Sequence, residues 1–179
     1  MHPNIEKVLI DEKTLKTRIA EMAAEISKDY EGEELLVIGL LKGASYFMME
    51  PTQHLSVPTQ IDFLKVSSYG SGTSTSGKVD IQFDTSRNLA GKNVLIVDDV
   101  VDSGLTLKAV RELFRTRNCK SIRLAAMLDK KERRLVKMVP DYYGFVIPDE
   151  FVVGFGLDYN EDYRTLPYVG ILKRSVYEK

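Results

Sequence analysis

The stretch VLIVDDVVDSGLT, residues 94–106, decides how the chain is read. Its apolar opening does not alternate, which is the pattern of a strand covered on both faces. Asp98 and Asp99 follow, then Asp102, Ser103 and Gly104, then Leu105 and Thr106. In an open α/β sheet, ligands collect at the carboxyl ends of strands, and Asp98 and Asp99 are expected at such an end. Strand side chains alternate between faces, so the two carboxylates are expected to diverge. Such a pair suits a ligand with several hydroxyls, or a hydrated magnesium ion, which takes carboxylate oxygens and keeps much of its water. Residues 102–106 then lead into a helix, whose first N–H groups, with Ser103 and Thr106 beside them, make an anion site. Gly104 allows close approach of the backbone. Helix capping alone accounts for Asp102 or Ser103, but not for acids at the end of a buried strand. A receiver-type phosphoacceptor domain also gathers acids at strand ends, but takes them from separate strands.

On either side of this stretch the pattern alternates between strand and helix. Leu15, Ile19, Met22 and Ile26 form one apolar stripe and predict a helix over 12–29. LLVIGLL, residues 35–41, reads as a buried strand ending at Lys42-Gly43, and 44–55 as a helix that stops before Pro58. Residues 61–66 read as a strand. A Ser/Gly/Thr-rich segment around Tyr69 follows, and then VDIQFD, residues 79–84, with Val79, Ile81 and Phe83 on one face and the other wet. Two strands flanking such a segment suggest a hairpin whose tip, 67–78, is a mobile lid. Residues 93–97, 105–117 and 122–128 read as strand, helix and strand, a βαβ unit. The tail, about 148–179, suggests short strands and turns. The expected fold is a single α/β domain over 1–179, a parallel sheet flanked by helices, with a lid hairpin and a small hood subdomain from the chain ends.

Composition narrows the functional classes. The chain has 179 residues and a net charge of −1, so a general nucleic-acid binder, which carries a basic excess, loses weight. The lone cysteine, Cys119, permits no internal disulfide, and with His2 and His54 the only histidines a zinc site is disfavoured. No signal peptide is evident and no apolar run nears the ~18–20 residues of a membrane span, so the expectation is a cytoplasmic protein without a membrane partner. GTSTSGK, residues 72–78, nearly matches a phosphate-binding loop. It lacks the following Ser/Thr, and the next residues alternate like a strand instead of opening a helix.

Two hydrophobics, an acidic pair, two hydrophobics and then D-[ST]-G-x-T resemble the phosphoribosyl pyrophosphate motif of type I phosphoribosyltransferases. LKGA at 41–44, SSYGSGT at 67–73, LDKKERR at 128–134 and IPDEFVVGFGLDYNEDYR at 147–164 are similar to hypoxanthine-guanine phosphoribosyltransferases, in that family's order along nearly the whole chain. The resemblance implies a purine-salvage transferase that joins hypoxanthine or guanine to phosphoribosyl pyrophosphate and releases pyrophosphate, with Mg2+ as cofactor. It implies that Asp98 and Asp99 hold the ribose hydroxyls and the metal, Asp102 is the catalytic acid/base at purine N7, and Ser103, Gly104, Leu105 and Thr106 wrap the 5′-phosphate. Lys42, Gly43 and Arg164 would bind pyrophosphate, the Lys42–Gly43 peptide being often cis in the family. Ser68 and Tyr69 would lie on the lid. Lys130 would donate to the purine 6-oxo group, Phe151 would stack on the ring, Val152 would read its edge, and Asp158 would bind a second magnesium ion. Many relatives have Glu-Asp where this chain has Asp98-Asp99, and some have a second glycine at Ala44. The family prior is a homodimer or homotetramer. Alternatives are a xanthine- or hypoxanthine-selective relative, or an RNA-binding regulator on the same fold. The second usually lacks the carboxylate found here at Asp102.

Overall fold

The computed structural model describes residues 1–68 and 79–178, with backbone alone at Ser68 and Val79. Tyr69 and nearly all of the expected lid therefore lie outside the described residues. The elements are β1 (Ile5–Ile10), α1 (Glu12–Asp29), β2 (Leu35–Leu40), α2 (Ala44–Thr52), β3 (Thr59–Ser68), β4 (Val79–Phe83), β5 (Asn93–Val101), α3 (Leu105–Arg115), β6 (Ser121–Asp129), β7 (Tyr142–Val146), β8 (Val152–Val153), β9 (Val169–Leu172) and α4 (Arg174–Tyr177). A single 3-10 turn, Lys131–Arg133, follows β6. One sheet runs β4-β3-β2-β5-β6-β7, parallel except for the antiparallel β3–β4 edge pair. A second, antiparallel sheet, β1-β9-β8, draws on both ends of the chain.

The parallel sheet is covered on both faces, as its unbroken apolar strands require. Leu35 and Val37 of β2 and Leu95 and Val97 of β5 pack with the α1 stripe Leu15, Ile19, Met22 and Ile26. The alternate residues Leu36, Ile38, Val94 and Ile96 pack against Leu107, Val110 and Phe114 of α3. Asp11 starts α1 by accepting the Thr14 N–H at 2.8 Å, an N-cap bond.

Several expectations change. The helix expected over 44–55 ends at Thr52, where the chain tightens into three-residue turns, the Gln53 N–H donating to the Glu50 carbonyl at 3.3 Å and the His54 N–H to the Pro51 carbonyl at 2.9 Å. The chain does not end β5 on the acid pair. β2 stops pairing with it at Val97, but β6 continues alongside to Val101. Ile81 and Phe83 of β4 are 36% and 52% exposed, so neither packs into the core, because β4 is the sheet edge. β1 was not signalled, since IEKVLI carries no clean two-residue alternation.

Candidate active site

The acids on β5 converge where strict alternation would separate them. Up to Val97 the strand keeps its two faces, but Val100 packs with the cluster of Leu95 and Val97, and Val101 with that of Val94 and Ile96. The faces therefore exchange between Val97 and Val100, where β5 has lost β2 as a neighbour. Within this irregular step the Asp98 and Asp99 carboxyls lie within hydrogen-bond reach of each other, contrary to the expected divergence. The Asp99 N–H donates to Asp98 Oδ1 at 3.1 Å, and the Val100 N–H to Asp99 Oδ1 at 2.8 Å. Burial, then the charge of Asp99, holds the Asp98 carboxyl well above the ordinary range. Burial raises Asp99 too, while the hydrogen bonds from Asp98 and Val100 pull it partly back. Among the described residues no three His, Cys, Asp or Glu side chains form a closed cage. These donors therefore fit magnesium, which takes one or two carboxylates and fills the rest of its shell with water and substrate oxygens.

Asp99 also explains Gly43. A Cβ there would lie 1.6 Å from Asp99 Oδ2, so any larger residue would displace the Asp99 carboxylate. The cis peptide is Leu41–Lys42, one residue before the expected position. Gly156, at φ 100°, closes the other side, since a Cβ on it would lie 2.2 Å from the Gly43 carbonyl oxygen. Arg164 exchanges hydrogen bonds with Gly156: its backbone oxygen accepts at 2.9 Å and its Nη1 donates at 2.7 Å. Arg164 Nη2 pairs with Asp158 Oδ1 at 2.8 Å, so the Asp158 carboxylate is already engaged. Lys42, Gly43, Asp99, Asp158 and Arg164 thus form one cluster at the ends of β2 and β5.

A second cluster surrounds residues 102–106. Gly104 has φ 79° and ψ 0°, a left-handed conformation natural to glycine. Neither expected cap operates from the N-cap position; Ser103 Oγ accepts the Leu105 N–H at 3.3 Å. Leu105 and Thr106 open α3, whose first turn offers N–H groups to an anion. The loop is anchored by Arg134, which donates to the carbonyls of Asp102 at 3.0 Å and Val101 at 3.3 Å, to the Met138 carbonyl, and to the fully buried Asp129. The Leu135 N–H holds the Ser103 carbonyl at 3.0 Å. Asp102 itself lies 3.1 Å from Arg133 Nε, an ion pair without hydrogen-bond alignment.

The third group faces the second sheet. Lys130 is 8% exposed, so it is not the solvated charge that its DKKERR setting suggests. Its N–H donates to the Val101 carbonyl at 3.0 Å, and its Nζ donates to the Glu150 carbonyl at 2.8 Å. Val152 sits in β8 opposite Ile171 and joins the core, whereas Phe151 beside it is 37% exposed. Tyr177 stacks on the Phe151 ring at 4.8 Å and Tyr159 meets it edge-on at 5.6 Å.

The structure thus brings together Asp98, Asp99, Asp102, Lys42, Gly43, Lys130, Phe151, Asp158 and Arg164 at one end of the sheet. Ser68 is placed only as the last residue of β3. The sequence reading missed Arg133, Arg134, Gly156, Glu161 and Tyr177. The two arginines lay inside an apparent charge run, and Tyr177 had no pattern around it. A groove of about 760 Å³ lies at the opposite, amino-terminal ends of β2, β3 and β5. There Glu33 already holds Lys120 at 2.7 Å and Asn93 at 3.2 Å.

Comparison with known proteins agrees with this geometry. The phosphoribosyl transferase domain family matches residues 9–160. The hypoxanthine-guanine phosphoribosyltransferase of Streptococcus mutans is 44% identical over 179 residues, covering all of this chain and 99% of that protein. The bifunctional protein TilS/HprT of Listeria innocua is 47% identical over the same length, and the chain spans 28% of it. A hypoxanthine phosphoribosyltransferase of Staphylococcus aureus superimposes with a TM-score of 0.96 at 41% identity, covering all of this chain and 97% of the other. On fold, motif order and full-length likeness, this chain belongs to the phosphoribosyl transferase domain family.

Proposed function

We propose that the chain transfers a phosphoribosyl group from phosphoribosyl pyrophosphate to hypoxanthine or guanine, giving IMP or GMP and pyrophosphate. It would act in the cytoplasm as a homodimer or homotetramer. One observation carries this reading: along one stretch of chain, Asp99 abuts Gly43 of the Lys42 and Arg164 cluster, Asp102 follows on the loop into α3, and the Val101 carbonyl between them accepts from Lys130, whose buried ammonium holds the residue before the exposed ring of Phe151. That order matches a substrate pair with pyrophosphate at one end, ribose phosphate in the middle and an oxopurine at the other.

In this account the 5′-phosphate rests on the N–H groups of residues 103–106 at the start of α3. Asp98 and Asp99 hold the ribose hydroxyls and would hold Mg2+, which when bound neutralises charge on the pyrophosphate. Lys130 donates to the 6-oxo group; the 6-amino group of adenine cannot accept that bond in the same way. Phe151 stacks on the base. The bond from ribose C1′ to the pyrophosphate oxygen breaks and its electron pair leaves with pyrophosphate, while the lone pair of purine N9 forms the new bond to C1′. The proton that the purine sheds passes from N7 to the Asp102 carboxylate, which Arg133 faces at 3.1 Å. Positioning and charge stabilisation account for the rest of the rate.

Asp102→Asn tests the assignment. The expected result is a kcat lower by about 10²–10⁴-fold, with the Kd for phosphoribosyl pyrophosphate nearly unchanged. Equal losses in both would remove Asp102 from the proton-transfer role.

A further inference from the structure

Lys42 and Arg164 approach the same atom. Glu161 Oε2 lies 3.0 Å from Lys42 Nζ and 3.2 Å from Arg164 Nη2. Glu161 reaches this point from an unfavourable backbone position. Asn160 and Glu161 have φ 52° and 69°, and Tyr159 and Asp162 exchange backbone hydrogen bonds of 3.3 and 3.0 Å across them. This is a two-residue hairpin turn with both central residues left-handed, and glycine is the preferred second residue. A glutamate there is an outlier among non-glycine residues, and such an outlier argues for a role of the side chain. Stability does not supply that role. Lys42 and Glu161 side chains are 53% and 63% exposed, and ion pairs so exposed contribute little. Arg164 Nε, by contrast, is buried and has no hydrogen-bond partner among the described residues, so the guanidinium has donor capacity left.

We infer that Glu161 competes with pyrophosphate for Lys42 and Arg164, its carboxylate oxygen taking the position between the two cations that a diphosphate oxygen takes on binding. The inference rests on the reading of Lys42 and Arg164 as pyrophosphate ligands. Binding then exchanges one anion for another, and on release Glu161 returns to Lys42 and to Arg164, which also pairs with Asp158. The cost is weaker affinity for phosphoribosyl pyrophosphate and pyrophosphate; the gain is easier release of the product.

The test is calorimetric titration of the whole chain with pyrophosphate and magnesium. Glu161→Gln removes the charge. Glu161→Gly removes the side chain and suits φ 69°, so at least one folded variant is assured. Both are expected to bind pyrophosphate about two- to fivefold tighter, the range that loss of one exposed ion pair allows. Asp162→Asn removes a neighbouring charge in the same turn that forms no ion pair among the described residues, and is expected to change the affinity little. Equal tightening by Asp162→Asn would reduce the effect to general charge and overturn the inference. Unchanged affinity in both Glu161 variants would also overturn it, as would weaker binding, which would make Glu161 a support for its cations. Lys42→Ala is expected to weaken binding. If it does not, Lys42 is not a pyrophosphate ligand, and the underlying assignment falls together with the inference.

Discussion

Replacing Arg134 by Met removes the anchor beneath the 102–106 loop and strands a buried charge. The Arg134 and Asp129 side chains are 12% and 1% exposed, so loss of the guanidinium leaves the Asp129 carboxylate buried without its cation. Removing one member of a buried pair costs about 3–5 kcal/mol, because the other is left uncompensated. For a chain of this size that is a fall in Tm of roughly 6–20 °C. Urea unfolding monitored by far-UV circular dichroism reads the free energy directly. The double variant Asp129→Leu/Arg134→Met removes the stranded charge, and apolar replacements of buried pairs are often neutral, so most of the loss should return. Both variants lack the guanidinium that holds the Asp102 carbonyl and adds to the Lys130 N–H on the Val101 carbonyl, so KM for phosphoribosyl pyrophosphate should stay high in the double variant even as stability recovers. A single-variant loss below about 1 kcal/mol would refute the anchoring argument. So would a double variant as unstable as the sum of the two single ones.

Three further outcomes follow from the geometry. Gly43→Ala places a methyl group on the Asp99 carboxylate, 1.6 Å from Oδ2; kcat/KM for phosphoribosyl pyrophosphate should fall about 100-fold or more, the scale of a 1 Å misplacement, in steady-state assays. Tyr177→Ala removes the ring stacked on Phe151 and should raise KM for the base about two- to tenfold, the worth of an aromatic pair, while Tyr177→Phe should not. Burial pushes the Asp62 carboxyl up, but hydrogen bonds from Thr85, Phe63 and Ser86 outweigh it and hold it below 3.8. A depressed folded value means stability that is present above the unfolded pKa and lost as pH falls through the folded one. Melting curves between pH 5 and 2 should therefore show a shallower acid decline for Asp62→Asn than for the parent chain.

The strands and helices that bury a full stripe were legible because burial imposes a period. The α1 stripe and the apolar runs of β2, β5 and β6 needed only their own sequence. β1 was not legible, because its place depends on pairing with β9 from the far end of the chain. Nor was the exposure of Phe83, which depends on β4 having no outer neighbour. In the site, Asp98, Asp99, Asp102 and Gly104 were legible as a cluster because they are contiguous. Strand alternation predicted the wrong directions for the first two, since the face exchange after Val97 follows from where β2 stops. Lys130 and Arg134 show the same limit. Within DKKERR six polar residues look alike, and only the fold shows that one ammonium lies beneath the Glu150 carbonyl and one guanidinium locks the loop at 101–102. Glu161 was equally silent until the turn geometry placed it between two cations.

The most direct test of the central claim is nucleotide formation from phosphoribosyl pyrophosphate and Mg2+ with hypoxanthine, guanine, xanthine, adenine and uracil offered separately. Turnover with hypoxanthine or guanine to IMP or GMP, and none with adenine or uracil, is the predicted result. No turnover with any oxopurine, or adenine used as readily as hypoxanthine, would contradict the account.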